Sequence, residues 1–569
     1  MRKQKRSGWR RPGWIRFDRL RALAAGLGMA LGMGAMGGAL LAQTTPLTPP
    51  APAPAKPKPK TEQTRRMTPQ QAEQLFRSVD SILQFDSKDT LLPIRHAVQR
   101  RLVTRDQVER YLLDQLQDDR DAKRLQRSEL VLKKFGLLDR DFELQPFLVK
   151  LLREQIAGYY NDKTKTVNLL DWIPPEEQKP VLAHELTHAL QDQYIHLEKW
   201  DQQSDLSIAK DVQQDNRHLA TDEADTVRDA VVEGQAMAVF IDYALAPTGK
   251  NLLTAPEVVE RMDQTMSDNS DSPTLATAPL LLQRSLLFPY ADGLRFVRAV
   301  LLARGTRAAF AGLLDHPPTS TYEIMTPSVY LKHRPVPLLR MPDIHPLLGS
   351  QYRPYDIGVM GELDVQMVTE LFGGRKVSKA LTPAWRGGVY YTAQKKNVPT
   401  ATQSQALASL ALIYLSRWAT PQAAQAFASM YGRQIPRQFD GVTQQPAETT
   451  SVGNQTVTSN VWQTSEGPVL IVVSGRTVFL SESFPLDLAR KLQLVMMGSI
   501  ADSAGSEVVE MPRQPAPREL TAGLEQTLAA LGVALPAGPN PTGAAARALP
   551  GKAKPRNARH AALGWHAIY

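Results

Sequence analysis

The chain lacks cysteine altogether, over a length of 569 residues. Disulfides, thiolate zinc sites and lipidated cysteines are therefore excluded, and packing alone must stabilise the fold. A chain of this length is long enough for two or three domains with a sizeable buried core.

A broad basic surface is also lacking, although the net charge is +10. Residues 1–21 contain nine Lys or Arg and one Asp, and four more basic residues lie between positions 552 and 559. The body of the chain between these ends is close to neutral. We therefore expect no nucleic-acid partner.

The N-terminus has the pattern of an export signal. A basic stretch precedes the glycine-rich apolar run 22–42, and Gln43 follows Ala42. This order predicts a signal peptide over residues 1–42, with cleavage after Ala42. An uncleaved membrane anchor is the alternative, because the 21 apolar-run residues can span a bilayer, but the many glycines weaken it. We expect an exported protein, periplasmic or extracellular, that contacts a membrane only through this segment if it is uncleaved.

Two further segments are unlike a folded domain. Residues 43–66 are rich in proline and predict an extended linker. Residues 501–569 are rich in Ala, Pro and Gly and predict a disordered, low-complexity tail. The folded body is expected between these two segments.

Hydrophobic periodicity divides the start of that body. Residues 68–155 carry apolar residues at helical spacing, which predicts helices, with Arg100 and Arg101 on a solvated helix face. From Gly158 the period changes, and a turn at Asn161–Lys163 lies between two short β-rich runs, which predicts a hairpin. The exposed edge of this hairpin could pair with an extended peptide. A purely structural hairpin is an equal alternative.

The stretch Val181–Gln193, VLAHELTHALQDQ, carries the main chemical motif. His184, Glu185 and His188 form an H-E-x-x-H set within an apolar, helix-forming run, and Pro180 is expected in the first turn of that helix. Residues four apart lie on one face of a helix, so both imidazoles can reach one metal ion. Glu185 lies beside them, where it can act on a water molecule bound to that ion.

A third protein ligand is needed, because catalytic zinc sites usually have three. The position six residues after the second motif histidine is Tyr194, which excludes the class with a third histidine there. The next predicted helix, 222–244, carries Glu233 among apolar residues, where a carboxylate is costly unless it is paired or metal-bound. Gly234 beside it would let two helices approach closely. Glu223 is the rival ligand, but its polar surroundings are typical of a solvated first turn.

Together these residues resemble the gluzincins, zinc peptidases that bind their metal with two histidines and one glutamate. HELTH is followed by an E-G-x-A element beginning at Glu233, similar to that of the aminopeptidase-N-like branch. The wider pattern, over roughly residues 130–335, is closer to a group of uncharacterised exported bacterial gluzincin-like proteins. The resemblance implies a zincin-like catalytic domain with His184, His188 and Glu233 as zinc ligands. It also implies Glu185 as the general base.

One spacing departs from this family. Glu233 follows His188 by 45 residues, more than in the compact gluzincins. The polar segment between them is therefore expected to be an inserted loop or an extra helix. The sequence also has no exopeptidase signature, so aminopeptidase activity is not carried over.

The resemblance implies metal-assisted hydrolysis of peptide bonds. Zinc would polarise the scissile carbonyl, and Glu185 would take a proton from water and pass it to the leaving amine. A donor for the oxyanion is also needed, and the candidate is Tyr290, expected just before a helix start. An ordinary core tyrosine is the alternative identity for this residue. His316, Tyr322 and His333, in the loop-rich stretch that follows, are weaker candidates.

A smaller α+β domain of unknown role is predicted over residues 350–500. Its expected elements are helices near 361–371, 403–417, 421–431 and 486–497, and strands at 389–392, 468–474 and 476–481. With a metallopeptidase domain over residues 67–345, the whole chain is expected to be α+β and mainly helical.

Two classes of function are consistent with these patterns. The first is an exported zinc endopeptidase that acts on peptides or proteins. The second is a non-catalytic envelope protein of the same fold, a chaperone or scaffold in which zinc is structural or lost. The intact Glu185 favours the first class, because a degenerate site commonly loses its base.

Overall fold

The computed structural model describes residues 66–117, 119–155, 158–201, 211–268, 273–349, 351–452 and 455–502. All of them belong to one compact unit. The predicted signal peptide, nearly all of the predicted linker and all but the first two residues of the predicted tail lie outside these ranges. None of the described helices is long and apolar enough to cross a membrane.

The first part of the described chain is mostly helical. Its helices are α1 (Pro69–Thr90), α2 (Arg105–Gln117), α3 (Asp119–Lys134), α4 (Leu144–Gln155), α5 (Pro175–Ile195), α6 (Leu197–Asp201), α7 (Val212–Thr221), α8 (Ala224–Leu245), α9 (Pro256–Asp268), α10 (Pro273–Ala276), α11 (Leu280–Arg304), α12 (Leu313–Asp315), α13 (Thr321–Met325), α14 (Pro327–Leu331) and α15 (His345–Leu348). A π-helical turn, Ala308–Gly312, lies between α11 and α12. Of the two alternatives for the polar segment between His188 and Glu233, an inserted loop or an extra helix, the described residues show helices, α6 and α7.

A three-stranded sheet lies beside these helices. Its strands are β1 (Gln99–Val103), β2 (Tyr159–Asn161) and β3 (Thr166–Leu170), in the order β1-β3-β2. The antiparallel pair β2 and β3 confirms the predicted hairpin. The helical expectation for Arg100 and Arg101 is wrong, because both lie on β1, which pairs in parallel with β3. That partner is distant in the chain, so no local pattern reveals the strand.

The second part of the chain is built on one large antiparallel sheet. Its strands are β4 (Tyr352–Val359), β5 (Trp385–Lys395), β6 (Leu410–Trp418), β7 (Thr443–Gln444), β8 (Glu448–Val452), β9 (Gln455–Thr464), β10 (Gly467–Ser474) and β11 (Thr477–Glu482). Its helices are α16 (Glu362–Leu381), α17 (Gln403–Ala408), α18 (Pro421–Gly432), α19 (Ile435–Gln438) and α20 (Leu486–Asp502). The strand order is β4-β5-β6-β11-β10-β9-β7, and β8 pairs with β9. About 57% of the described residues are helical and 18% are in strands, which confirms a mainly helical α+β fold.

The predicted helix over 403–417 is wrong in its second half, where the chain forms β6. Leu412 and Tyr414 face the larger apolar core, and Ile413 and Leu415 face the core beneath α20. A strand buried on both faces has a continuous apolar run, which periodicity alone does not distinguish from a buried helix. The strands predicted at 468–474 and 476–481 are confirmed as β10 and β11, which pair with each other in antiparallel orientation.

Contacts cross the domain boundary predicted near residue 345. The fully buried ammonium of Lys134 on α3 lies 2.7 Å from Oε2 of Glu466 and 2.7 Å from Oγ of Ser483, and the guanidinium of Arg140 pairs with the same glutamate. A single apolar cluster also includes residues from both sides. The division into two domains, over residues 67–345 and 350–500, stays a prediction.

Helices α8 and α11 cross at two glycines. A Cβ atom at Gly234 would lie 2.3 Å from the carbonyl carbon of Gly293, and a Cβ at Gly293 would lie 2.2 Å from the carbonyl oxygen of Ala230. Any side chain at either position would overlap backbone atoms, which cannot move aside as a flexible side chain can. The expectation that Gly234 permits a close helix approach is confirmed, and the partner is α11.

We predict that Gly234→Ala lowers the free energy of unfolding by about 3 kcal/mol, near the upper end of typical overpacking costs. The matched control is Gly498→Ala on α20, where a Cβ meets no atom within 4 Å. That change should be neutral or stabilising by up to about 1 kcal/mol, because alanine suits a helix better than glycine. Urea unfolding of both variants measures the difference, and equal effects would contradict the glycine crossing.

Candidate metal centre

Helix α5 carries the H-E-x-x-H residues. It begins at Pro175, so Pro180 lies inside the helix and not in its first turn as predicted, since the preceding prolines already start the helix. Every residue over Val181–Asp192 is buried, with α1, α8 and the three-stranded sheet around it. The side-chain amide of Gln178 fixes α5 to β3 through two 2.9 Å hydrogen bonds with the backbone of Leu170.

Helix α8 places Glu233 against the two histidines. Nε2 of His184 lies 3.1 Å from Nε2 of His188 and 3.1 Å from Oε2 of Glu233. The remaining edge, from His188 Nε2 to Glu233 Oε2, is 3.4 Å. Three donors of a tetrahedral zinc site with bonds of about 2.0–2.1 Å are about 3.3 Å apart. The three residues could therefore hold a metal ion, and no other such group occurs within the described ranges.

The three side chains are coupled electrostatically. Burial lowers the pKa of His184. Burial also opposes a charge on His188, but the carboxylate of Glu233 outweighs it and raises the pKa of His188 to about 9. Burial alone would raise the pKa of Glu233, yet the charge of His188 and hydrogen bonds from both histidines hold that pKa below its ordinary value. The carboxylate and the two imidazoles thus favour opposite charges on each other, and a cation that binds them would do so with release of a proton.

Glu185 has one bound and one unbound carboxylate oxygen. Oε2 accepts a hydrogen bond from the backbone N–H of Tyr160 at 2.6 Å. Oε1 is buried and has no hydrogen-bond partner among the described residues. Burial raises the pKa of Glu185 to about 7, against the opposing charge of His188. An oxygen with unused lone pairs beside the metal ligands is what a general base requires.

The hairpin of β2 and β3 is hydrogen-bonded to α5, the helix that carries the H-E-x-x-H residues. The Tyr160 hydroxyl and the Lys165 ammonium both donate to Oδ2 of Asp192, at 2.8 and 2.6 Å. Because β2 is an edge strand, an N–H pointing away from β3 is free for another acceptor, and that of Tyr160 reaches Glu185. The sheet edge and the candidate base are therefore in direct contact. Pairing of this edge with a peptide stays a prediction.

Tyr290 lies beside the metal centre, but on a different element from the one predicted. It lies inside the continuous helix α11 rather than before a helix start, because packing of α11 overrides the usual helix-breaking effect of Pro289. Its side chain is fully buried, and its ring centroid is 6.4 Å from that of His184, with the planes 24° apart. The glycine crossing of α8 and α11 brings Tyr290 this close.

The weaker oxyanion candidates have other contacts. The ring of Tyr322 packs against the ring of Trp385. The backbone carbonyl of His316 accepts a tyrosine hydroxyl, and the ring of His333 lies beside a guanidinium group. These contacts give the three residues no evident role next to the metal ligands.

Glu223, the rival ligand, is not part of the metal group. Its Oε1 accepts hydrogen bonds from the backbone N–H of Thr321 at 3.1 Å and from the Thr321 hydroxyl at 2.6 Å. A Cβ at Gly361 would lie 2.0 Å from that oxygen, so the turn between β4 and α16 packs directly over it. The expectation of a solvated first turn is wrong, and burial raises the pKa of this carboxyl group.

The sequence patterns did not reveal two residues that support His188 through hydrogen bonds. Nδ1 of His188 donates to Oε1 of Gln191 at 2.8 Å, and Nε2 of Gln191 donates to Oε1 of Gln235 at 2.9 Å. One signal was present, because Gln235, like Glu233, is a polar residue within the apolar run of α8. A buried amide needs partners as a buried carboxylate does.

No protein-family model matches this chain, and neither a curated protein nor a solved structure matches it. The assignment of the centre therefore rests on its own geometry. Its defining features are three donors at tetrahedral spacing and a neighbouring carboxylate with an unbound oxygen.

We predict that Glu233→Ala lowers bound metal well below one ion per chain after dialysis, because the centre loses one of three donors. The matched control is Glu223→Ala, which removes a carboxylate at the N-cap of the same helix, α8, but outside the donor group. Elemental analysis of zinc-loaded protein measures both variants. Full retention of metal by Glu233→Ala would overturn the ligand assignment.

Proposed function

We propose that this protein is an exported zinc-dependent peptidase with a gluzincin-type site on a zincin-like domain over residues 67–345. The observation that supports it most is the triangle of His184, His188 and Glu233 with the carboxylate of Glu185 against it. The substrate is a peptide or protein, and the reaction is hydrolysis of a peptide bond. Export rests on the N-terminal sequence pattern, which lies outside the described residues.

Zinc fits these donors better than other common ions. Two imidazole nitrogens and one carboxylate oxygen are a ligand set of catalytic zinc, whereas calcium and magnesium prefer oxygen ligands throughout. His188 is hydrogen-bonded through Nδ1, which leaves Nε2 facing the other two donors. Bound zinc would polarise the scissile carbonyl and lower the pKa of a water molecule.

Glu185 is the proposed general base. Its Oε1 accepts a proton from the attacking water as the water oxygen adds to the carbonyl carbon. The N–H of Tyr160 holds the other carboxylate oxygen and so fixes the direction of Oε1. When the C–N bond breaks, the same oxygen returns the proton to the leaving amine, and the products are a carboxylate and an amine.

Two neighbouring elements complete the proposed site. The hydroxyl of Tyr290 is the proposed donor to the oxyanion, since its ring lies close to that of His184. An extended peptide would lie along the edge strand β2, whose middle residue, Tyr160, contacts Glu185.

One observation favours the second candidate, a non-catalytic protein with a structural metal. His184 is 0% exposed, Glu185 1%, Glu233 2% and His188 8%. His188 is the most exposed of the four, so a peptide bond has little access to the centre. A structural metal needs no such access.

We predict that Glu185→Gln keeps the zinc content of the wild type but lowers cleavage of an unfolded test protein by about 10²–10⁴-fold, the usual contribution of a general base. An amide of the same shape cannot accept the proton. The matched control is Glu176→Gln, the same change at an exposed position, 74% accessible, on the same helix. It should leave both zinc content and cleavage unchanged.

The outcome separates the two candidates. Loss of cleavage in Glu185→Gln alone supports the peptidase. No cleavage by the wild type under several pH values and temperatures, with one zinc per chain retained, supports the non-catalytic protein.

We predict that Tyr290→Phe lowers kcat by about 10²–10³-fold with little change in KM, because one oxyanion donor is lost. Tyr330→Phe is the control, since it removes a hydroxyl that donates to the backbone of His316 instead. Steady-state kinetics on a fluorogenic peptide measures both. An unchanged kcat in Tyr290→Phe would leave this tyrosine as a core residue only.

A further inference from the structure

Two buried glutamines connect the metal centre to the π-helical turn. Oε1 of Gln191 accepts from Nδ1 of His188 at 2.8 Å, and Nε2 of Gln191 donates to Oε1 of Gln235 at 2.9 Å. Nε2 of Gln235 donates to the backbone carbonyls of Ala309 and Phe310, at 2.8 and 3.0 Å. Both glutamine side chains are completely buried. The result is a continuous chain of hydrogen bonds that begins at a ligand and ends on backbone.

The donors and acceptors in this series of hydrogen bonds can be arranged in only one way. Backbone carbonyls only accept hydrogen bonds, so Gln235 must turn its NH₂ group towards the π-helical turn and its oxygen towards Gln191. The NH₂ group of Gln191 also donates to the carbonyl of Val232 at 3.0 Å, so its oxygen must face His188. An oxygen cannot donate, and Nδ1 of His188 therefore carries the proton. The lone pair of a neutral His188 is left on Nε2, which faces the other two donors.

The other histidine ligand has no such support. Nδ1 of His184 is buried without a hydrogen-bond partner among the described residues. No hydrogen bond on that side selects its tautomer, and its ring lies against the rings of His188 and Tyr290. His188 is therefore the ligand whose orientation is set in advance of metal binding.

We propose that Gln191 and Gln235 are positioning residues that hold His188 as the Nδ1-protonated tautomer, so that metal affinity depends on the π-helical turn Ala308–Gly312. This inference rests on the proposed function, in which His184, His188 and Glu233 bind zinc. Partners that fix the tautomer of a histidine ligand typically contribute 10–100-fold to metal affinity. A π-helical turn is rare in proteins and is frequently found at functional sites.

The test measures zinc affinity of the full chain, made metal-free, by competition with a chromophoric chelator. Gln191→Met should weaken zinc binding by about 10–100-fold, because the partner of Nδ1 is lost. Gln235→Met should weaken it in the same direction by a smaller factor, since Gln191 keeps its bonds to His188 and Val232 and loses only the one to Gln235. Unfolding of the metal-free forms is measured in parallel to show that each variant is folded.

A third variant separates positioning from simple core filling. In Gln191→Glu the side chain still accepts from His188 but can no longer donate to Val232 and Gln235, so stability should fall while zinc affinity stays within a few-fold of wild type. A purely structural glutamine would make this variant as weak as Gln191→Met. The matched control is Gln178→Met, a buried glutamine on the same helix bonded to β3, which should lose stability without losing affinity.

The possible results distinguish failure of the positioning role from failure of the proposed function. Normal zinc binding by the wild type with equal affinity in Gln191→Met and Gln235→Met would overturn the positioning role and leave the proposed function intact. Equal weakening in Gln191→Met and Gln191→Glu would also overturn it. Absence of zinc binding by the wild type would overturn the proposed function and this inference together.

Discussion

A carboxylate buried between two helices is the constraint on which the rest of the centre depends. Glu233 is only 2% exposed, and an unpaired carboxylate in that position would cost several kcal/mol. The imidazoles of His184 and His188 offset this cost, with contacts of 3.1 and 3.4 Å. Helices α5 and α8 must therefore pack with these faces together. A site that can bind a cation follows from the same contact that permits the burial.

A neighbouring face of α8 is fixed by an equally strict contact. Gly234 and Gly293 allow α11 to approach to backbone contact, and the neighbouring Ala230 completes the crossing. One turn from this point, α11 presents Tyr290 to the ring of His184. Gln235, next to Gly234, reaches instead towards the π-helical turn. Three adjacent residues of α8 thus have three roles. Glu233 contacts the two histidines, Gly234 admits α11, and Gln235 bonds to Gln191, the partner of His188.

Buried polar groups in this protein are of two kinds. Lys134 is fully buried, but its ammonium group donates hydrogen bonds to Glu466 and Ser483. This ion pair joins α3 to the large sheet. Glu185 is equally buried and keeps one oxygen without a partner among the described residues. Other buried carboxyl groups, such as Asp86 and Glu482, also have an oxygen without a partner among the described residues. The three-donor group next to Glu185, more than its unpaired oxygen, separates the proposed active centre from the structural ion pair.

The sequence by itself determined the pairing of His184 and His188 on α5, because they are local neighbours and helical geometry alone puts them on one face. It also indicated Glu233, because a carboxylate in an apolar run needs a partner, and the hairpin before the helix, because turn residues act locally. Only the tertiary structure decided that Glu223 lies outside the donor group, that β6 is a strand and that Gln235 contacts Gln191, the partner of His188. These features depend on groups far apart in the chain, and a local pattern carries no information about a distant partner.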